Sequence, residues 1–258
     1  MTEVITSRDN PLVKRLRALA QDSAAYRKLG QIWLEGDHLC RALLARGRWP
    51  EMVVCAQSQT GVAEGWQLPP SVRRVVLADA LMRQLSGLES PALVGFVLAL
   101  PSVPVVQAGV PTVVLDRLQD PGNVGSILRS AAAFGFRQVL ALKGTAALWS
   151  PKVLRAGMGA HFGLHLVEGC APEVLAELHT PVLATSSHQG SYLHQGGLPW
   201  PCAWLLGHEG QGVAPQLLVQ ATHTVRIAQP GGEESLNVAA AAAVCLHASA
   251  LQMGTAGP

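Results

Sequence analysis

Short apolar runs recur along the chain and are separated by helical or polar loop segments. The run QIWLEG at residues 31–36 predicts a strand, and the segment after it predicts a helix that continues to Leu44. Further strands are predicted by the apolar runs at residues 52–56, 72–78 and 92–100. Strands that alternate with helices are typical of an α/β domain, and we place this one at residues 1–100.

Six more apolar runs follow in the second part of the chain. Short apolar runs separated by helices or loops are typical of a parallel sheet that is covered on both faces. The runs are TVVLD (112–116), QVLAL (138–142), LHLVE (164–168), PVLAT (181–185), AWLLG (203–207) and HTVRI (223–227). They predict a second α/β domain at residues 112–258. The stretch between the domains, residues 101–111, contains three prolines and no helical pattern, so we predict an extended linker.

The composition excludes several classes of protein. With 49% hydrophobic and 14% charged residues, the chain is expected to fold around an aliphatic core. No apolar run reaches the roughly 18–20 residues of a membrane span, and the N-terminus is polar, so we expect a cytoplasmic protein with no membrane partner. The five cysteines lack the CxxC spacing of a zinc site or a disulfide framework, and we predict buried free thiols and no metal.

The positive charge is local, since the formal net charge of the chain is only +2. Leu12, Leu16 and Leu19 recur at helical spacing with basic residues between them, which predicts an amphipathic helix with a positive face. Such a face either contacts phosphates or is simply solvated.

The first of three polar, small-residue motifs is DRLQDPGNVGSILRSAAAFGF, at residues 116–136. A predicted strand ends at Asp116, a Pro-Gly turn follows, and a helix is predicted to begin near Asn123. Ligands bind beyond the carboxyl ends of strands in open parallel sheets, so this turn is expected to face the ligand crevice. Asn123 either caps the helix or faces a ligand, and Arg129 either meets an anion or is solvated.

The second motif, LLGHEGQGV at residues 205–213, joins the end of a predicted strand to a turn with three glycines. Glycines allow a ligand to approach the backbone closely, although a turn alone also uses them. The motif matches neither GxGxxG nor a P-loop, so nucleotide triphosphates are disfavoured. Glu209 lies between these glycines.

The third motif, IAQPGGEESLNVAAAAA at residues 227–243, leads into the last predicted helix. Ser235 or Asn237 is placed to cap that helix, while Gly231 and Gly232 expose backbone groups to a small molecule. Three such turns in one domain favour a binding site over a scaffold.

These motifs carry a resemblance to a known family. NVGSILRSAAAFG, LLGHEGQGV and ESLNVAAAAAV occur in the order of the three motifs of the SpoU/TrmH family of RNA ribose 2′-O-methyltransferases, within the SPOUT class. The segments ITSRDNPLVKRLRAL and WLEGDHLCRALLARG are similar to the substrate-binding extension of many bacterial members. Two departures are Ala228-Gln229, where the family often has Pro-Met, and His208, where it often has Asn.

The resemblance implies a parallel-sheet SPOUT domain with a deep trefoil knot, an exception to the rule that chains avoid knots. It implies a smaller, L30e-like α/β domain before it. It also implies S-adenosyl-L-methionine as cofactor and a homodimer with the site near the dimer interface. The loops that would bind the cofactor are those around Thr185, Gly207, Ile227 and Leu236.

By the same resemblance, Arg129 is the leading catalytic candidate, either in deprotonating the ribose hydroxyl or in orienting it and stabilising charge. Asn123, Glu209, Ser235 and Asn237 match the other motif residues. Phosphate contacts that bind RNA are expected from Arg8, Lys14, Arg15 and Arg155.

The function expected from the resemblance is methylation of a ribose 2′-hydroxyl in structured RNA, with ribosomal RNA preferred over transfer RNA because of the N-terminal extension. The alternatives are a transfer RNA 2′-O-methyltransferase and a non-catalytic RNA-binding or assembly protein with the same fold. A Rossmann dehydrogenase is disfavoured because no glycine fingerprint follows the first strand of the second domain.

Overall fold

The chain divides into two compact units. The structure is a computed structural model that describes residues 4–87, 89–102, 104–232 and 235–254. The first unit consists of Met1–Ser102 and Trp149–Phe162, and the second consists of Val103–Leu148 and Gly163–Pro258. The segment Trp149–Phe162, which the sequence analysis assigned to the second domain, therefore groups with the first unit.

The elements of the N-terminal part follow the predicted apolar runs closely. They are β1 (Val4–Ile5), α1 (Pro11–Gln21), α2 (Ala25–Leu29), β2 (Gln31–Glu35), α3 (Asp37–Leu44), β3 (Met52–Ala56), α4 (Thr60–Gly65), β4 (Arg73–Leu77), α5 (Asp79–Leu85) and β5 (Val94–Ala99). The sheet has the order β1-β4-β3-β5-β2. β4 pairs in parallel with β1 and β3, whereas β5 pairs antiparallel with β3 and β2. The first unit is therefore an α/β unit with a mixed sheet.

The remaining elements begin at residue 112. They are β6 (Thr112–Leu115), α6 (Pro121–Ala133), β7 (Gln138–Leu142), α7 (Pro151–Gly157), β8 (His165–Cys170), β9 (Val182–Thr185), β10 (Ser191–Tyr192), β11 (Ala203–Leu206), α8 (Pro215–Leu218), β12 (His223–Arg226) and α9 (Val238–Ala250). Of these, α7 belongs to the first unit. No helix in the described ranges is long and apolar enough to cross a membrane.

The sheet of the second unit has seven strands in the order β10-β12-β9-β11-β6-β7-β8. Every pair of neighbours is parallel. The strands β6, β7 and β11 are buried along their whole length, as expected for a parallel sheet with both faces covered. This confirms the predicted parallel α/β class. The trefoil knot and the L30e-like character of the first unit stay predictions.

The later part of the predicted linker packs against the sheet of the second unit and its connections. Gln107 and Gln138 exchange two hydrogen bonds, from the Gln107 N–H to Gln138 Oε1 at 2.7 Å and from Gln138 Nε2 to the Gln107 carbonyl at 3.1 Å. Gly109 N also donates to the Leu178 carbonyl at 2.8 Å. Residues 104–111 contain no helix or strand, but these bonds tie them to the sheet and its connections.

A buried hydrogen bond fastens the last helix to the centre of the sheet. Trp204 of β11 and Ser249 of α9 are both fully buried, and Trp204 Nε1 donates to Ser249 Oγ at 2.9 Å. A buried indole N–H needs such a partner, because leaving it unpaired costs about 1–3 kcal/mol. The serine near the end of an apolar helix is explained by this bond.

We expect Ser249→Ala to lower the free energy of unfolding of the second unit by about 1–3 kcal/mol, because the Trp204 N–H loses its acceptor. Urea denaturation followed by circular dichroism measures the change. In a Trp204→Phe background, which has no N–H to satisfy, the same substitution is expected to cost less. Equal costs in the two backgrounds would show that this hydrogen bond does not contribute.

Candidate active site

The three motifs follow strands that are neighbours in the second sheet. The order β12-β9-β11-β6 places four parallel carboxyl ends side by side. The first motif follows β6, the second follows β11 and the third follows β12, while β9 ends at Thr185. Segments far apart in sequence therefore meet at one edge of the sheet, which is where open parallel sheets bind ligands.

A chain of side-chain hydrogen bonds joins one residue of each motif. Asn237 Nδ2 donates to Asn123 Oδ1 at 3.0 Å, and Asn123 Nδ2 donates to Glu209 Oε1 at 3.3 Å. The bonded residues are 114 and 86 positions apart in the sequence. The structure thus brings together three of the five predicted catalytic residues.

The N-caps of α6 and α9 show which of the candidate residues cap a helix and which do not. α6 begins at Pro121, and its N-cap is Asp120, whose Oδ1 accepts from the Asn123 N–H at 2.7 Å. α6 thus begins two residues before Asn123, as predicted, but Asn123 does not cap it, and its side chain bridges the other motifs instead. At α9 the N-cap is Asn237, whose Oδ1 accepts from Ala239 N at 2.9 Å and Ala240 N at 3.3 Å.

Glu209 is held as a carboxylate by several donors. The backbone N–H groups of Gln119 and Asp120 donate to Oε2 and Oε1 at 3.4 and 3.3 Å. Partial burial alone would raise the pKa of Glu209. Hydrogen bonds from its own backbone, from the Asn123 side chain and from the two N–H groups outweigh this effect and lower the pKa below its ordinary value. Glu209 is therefore ionised at neutral pH.

The turn of the second motif is closed by its own backbone and by His208. Gly212 N donates to the His208 carbonyl at 2.8 Å, and His208 Nδ1 accepts from Gly210 N at 3.0 Å and Gln211 N at 3.3 Å. A Cβ at Gly207 would collide with the backbone of Gly212 and Val213, so only glycine fits there. His208 supplies the acceptor that an Asn side chain would supply at the same position.

A cavity of about 280 Å³ opens at this sheet edge. The four residues predicted to bind the cofactor, Thr185, Gly207, Ile227 and Leu236, all line it. Glu209, Ser235 and Asn237 of the predicted catalytic set line it as well. Its other lining residues are Ser186, Ser187, His208, Gly212, Val225, Gln229, Val238, Ala241 and Cys245.

Two walls of the cavity differ in their polarity. Burial raises the pKa of the Cys245 thiol to about 12, so this side chain is a neutral, apolar wall. Gln229 Oε1 is buried and has no hydrogen-bond partner in the described part of the chain. A buried acceptor of this kind is satisfied when a ligand donates to it.

Arg129 lies apart from the other predicted catalytic residues. It is exposed on α6 and does not line the cavity. Within the described residues its guanidinium has no hydrogen-bond or ion-pair partner. It shares one exposed face of α6 with Ser126 and Ala133, at spacings of three and four residues.

The predicted RNA-binding residues lie in the first unit. They differ in how exposed they are and in whether an acidic side chain pairs with them. Arg8 is exposed and Arg15 is half-buried on α1. Lys14 is exposed and pairs with the still more exposed Asp9 at 3.0 Å, a contact that contributes little to stability. Arg155 Nη1 lies 3.6 Å from the buried carboxylate of Glu35. Its guanidinium is therefore partly engaged in an ion pair within the first unit.

Sequence reasoning missed the supports of the second motif loop. Asp116 is buried, accepts from Ala214 N at 2.8 Å and binds the guanidinium of Arg117 at 2.7 and 3.0 Å. Arg117 Nη1 in turn donates to Gln211 Oε1 at 3.0 Å. An acid directly followed by a base at a strand end was the only sequence signal of this support.

Comparison with known proteins agrees with the geometry. Residues 111–247 match the model of the SpoU rRNA Methylase family. The chain is 34% identical to an uncharacterized tRNA/rRNA methyltransferase of Synechocystis, across 98% of this chain and 95% of that protein. It is 29% identical to RlmP of Bacillus subtilis, a 23S rRNA guanosine 2′-O-methyltransferase, across 85% of this chain and 88% of that protein.

A solved structure shows the same fold over nearly the whole chain. The AdoMet-bound rRNA methyltransferase of Sinorhizobium meliloti superposes with a TM-score of 0.84, at 24% identity, covering 99% of both chains. The resemblance inferred from the three motifs is thereby confirmed: the chain belongs to the SpoU rRNA methylase family of RNA methyltransferases.

Proposed function

We propose that this protein transfers a methyl group from S-adenosyl-L-methionine to a ribose 2′-hydroxyl of ribosomal RNA. The observation that carries the proposal is the hydrogen-bond chain from Asn237 through Asn123 to Glu209 beside a cavity of about 280 Å³. The chain belongs to a methylase family, and its relative in B. subtilis acts on the 2′-oxygen of a 23S rRNA guanosine.

The residues of the cavity fit S-adenosyl-L-methionine. Gln229 Oε1 is a buried acceptor that no other described residue satisfies, as suits the amino group of an adenine. Ile227, Leu236 and Val225 supply apolar surface for a base, and Gly207 lines the cavity beside them. The AdoMet-bound protein of S. meliloti shares this fold. When bound, the cofactor supplies a methyl group on a positively charged sulfonium, the electrophile for a ribose oxygen.

The residues around the cavity hold and orient the reactants. Asn123 is fixed by its two bonds and keeps Glu209 and Asn237 in place. The ionised Glu209 gives the cavity mouth a negative charge, which favours a cationic sulfonium. The exposed hydroxyl of Ser235 and the second Nδ2 hydrogen of Asn237, both at the cavity, are available to contact the ribose. Orientation of this kind lowers the barrier by holding the reacting atoms in line.

Arg129 acts on the ribose oxygen and the adjacent phosphate in this proposal. A guanidinium stays protonated at neutral pH, so stabilisation of developing negative charge suits it better than proton abstraction. Its lack of a partner in the described residues leaves all its donors available.

In this proposal the protein is a homodimer, which would account for the position of Arg129 outside the cavity of its own chain. α6 and α9 pack side by side, and each helix keeps an exposed face. That face of α9 includes Val244, 43% exposed, and continues to Leu251, 62% exposed. A second copy covering these apolar side chains would bring Arg129 toward the partner's cavity. A monomeric mass by light scattering at micromolar concentration would contradict the dimer.

Ribosomal RNA transcribed without modifications, incubated with isotopically labelled S-adenosyl-L-methionine, is expected to gain label in a 2′-O-methylnucleoside. Nucleoside digestion and mass spectrometry identify the product, and transfer RNA is tested in parallel. Label only in transfer RNA would exclude the ribosomal substrate, and cofactor binding without label in either RNA would exclude the ribose reaction.

Arg129→Ala is expected to lower kcat on the labelled RNA about a hundredfold or more, the usual loss when a charge-stabilising donor is removed. The Kd for the cofactor is expected to stay within about twofold of wild type, because Arg129 does not line the cavity. Calorimetric titration measures this Kd. An undiminished kcat would exclude the catalytic role of Arg129.

His208→Ala is expected to weaken cofactor binding by about three- to tenfold, because Gly210 and Gln211 lose their shared acceptor and the turn loosens. His208→Asn is the matched control, since its amide oxygen restores an acceptor and should keep Kd near that of wild type. Equal losses in the two variants would show that the imidazole itself, and not the hydrogen bonds of the turn, matters.

A further inference from the structure

An exposed tryptophan stands on the loop between α3 and β3 of the first unit. Trp49 is 52% exposed, whereas Trp33, Trp66, Trp149 and Trp204 are at most 9% exposed and Trp200 is half-buried. A large aromatic ring is costly to leave in water, so an exposed one often marks a binding surface. The three motifs that form the active site do not include this loop.

Three arginines belong to the loop of Trp49 or to the strand that pairs beside its end. Arg46 and Arg48 are exposed on the same loop, and in the part of the chain that the structure describes neither forms an ion pair or a hydrogen bond through its side chain. Arg73 is also exposed, and its backbone N–H donates to the Glu51 carbonyl at 3.0 Å, two residues beyond Trp49. We refer to Arg46, Arg48, Trp49 and Arg73 as the Trp49 patch.

The acidic residue beside the patch does not neutralise it. Glu51 accepts a hydrogen bond from Gln31 Nε2 at 2.7 Å, and no ion pair joins it to an arginine of the patch in the described residues. The patch therefore carries three positive charges next to one exposed aromatic face.

The loop is held in a fixed conformation. Gly47, in the turn after α3, has a left-handed φ of +65°, and its N–H donates to the Leu44 carbonyl at 2.9 Å. On the other side, Pro50 is buried and Glu51 N donates to the Val97 carbonyl at 2.9 Å. A ring on a rigid loop loses little conformational entropy when it binds.

We infer that the Trp49 patch binds an unpaired nucleotide of the RNA substrate, with the base stacked on the indole and flanking phosphates on the guanidinium groups. Aromatic rings stack on bases of single-stranded RNA, and nearby arginines follow its backbone. Three guanidinium groups without acidic partners favour a polyanion over a protein surface. The inference rests on the proposed function for the identity of the substrate, but its test does not require methyl transfer.

The test uses the full chain and a 12-nucleotide oligoadenylate RNA. Binding to wild type is expected to quench tryptophan emission, because Trp49 is the most exposed indole. Trp49→Ala is expected to bind about tenfold more weakly, which corresponds to the loss of one stacked base, and to show no quenching. Trp49→Phe keeps a ring and should recover most of the affinity without the emission change.

The salt dependence separates the arginines from the ring. The slope of log K against log salt is expected to become shallower by about 1.4 in the Arg46→Gln, Arg48→Gln variant, at about 0.7 for each lost phosphate contact. In Trp49→Ala the slope is expected to stay at the wild-type value. Val219→Ala, which trims an 83% exposed apolar side chain in the second unit, is the control and should bind as wild type does.

Failure of this inference is distinguishable from failure of the proposed function. Wild-type emission that does not change with the oligonucleotide, or Trp49→Ala binding as tightly as wild type, would overturn the inference even if ribosomal RNA is methylated. Quenching that depends on Trp49 would support it even if no RNA is methylated.

Discussion

The site depends on the hydrogen-bond chain that joins Asn237, Asn123 and Glu209. Each of these residues belongs to a different loop, and the loops follow different strands of one parallel sheet. Closing segments 114 and 86 residues apart costs conformational entropy, which the buried strands and the packing of α6 on α9 offset. The chain of bonds then fixes polar side chains that the sheet alone only brings near each other.

Further hydrogen bonds hold the loops that carry these three residues. Asp116 holds the loop after β11 through Ala214, and His208 closes the turn that carries Glu209. Gln119 and Asp120 fix the same carboxylate from the first motif loop. Because Asn123, Glu209 and Asn237 are each hydrogen-bonded to another loop, a ligand meets a largely preorganised surface, which limits the entropy lost on binding.

Much of the fold was predictable, because its strands are continuous apolar runs whose burial decides their conformation. The two strands that were missed, β1 and β10, have two residues each, too few to show the pattern of a strand. The motifs located the site, but not the residue that caps α6, because Asp120 and Asn123 are both of a type that favours the N-cap position. The membership of α7 in the first unit also depends on packing that no local pattern records.

The most direct test of the central claim is a double-mutant cycle on Asn123→Ala and Asn237→Ala, with methyl transfer to ribosomal RNA as the readout. If their hydrogen bond unites the site, the second substitution has a smaller effect once the first is present, with a coupling of about 1 kcal/mol or more, roughly fivefold in rate. If the two effects simply multiply, the residues act independently and the account of a single hydrogen-bonded site is wrong.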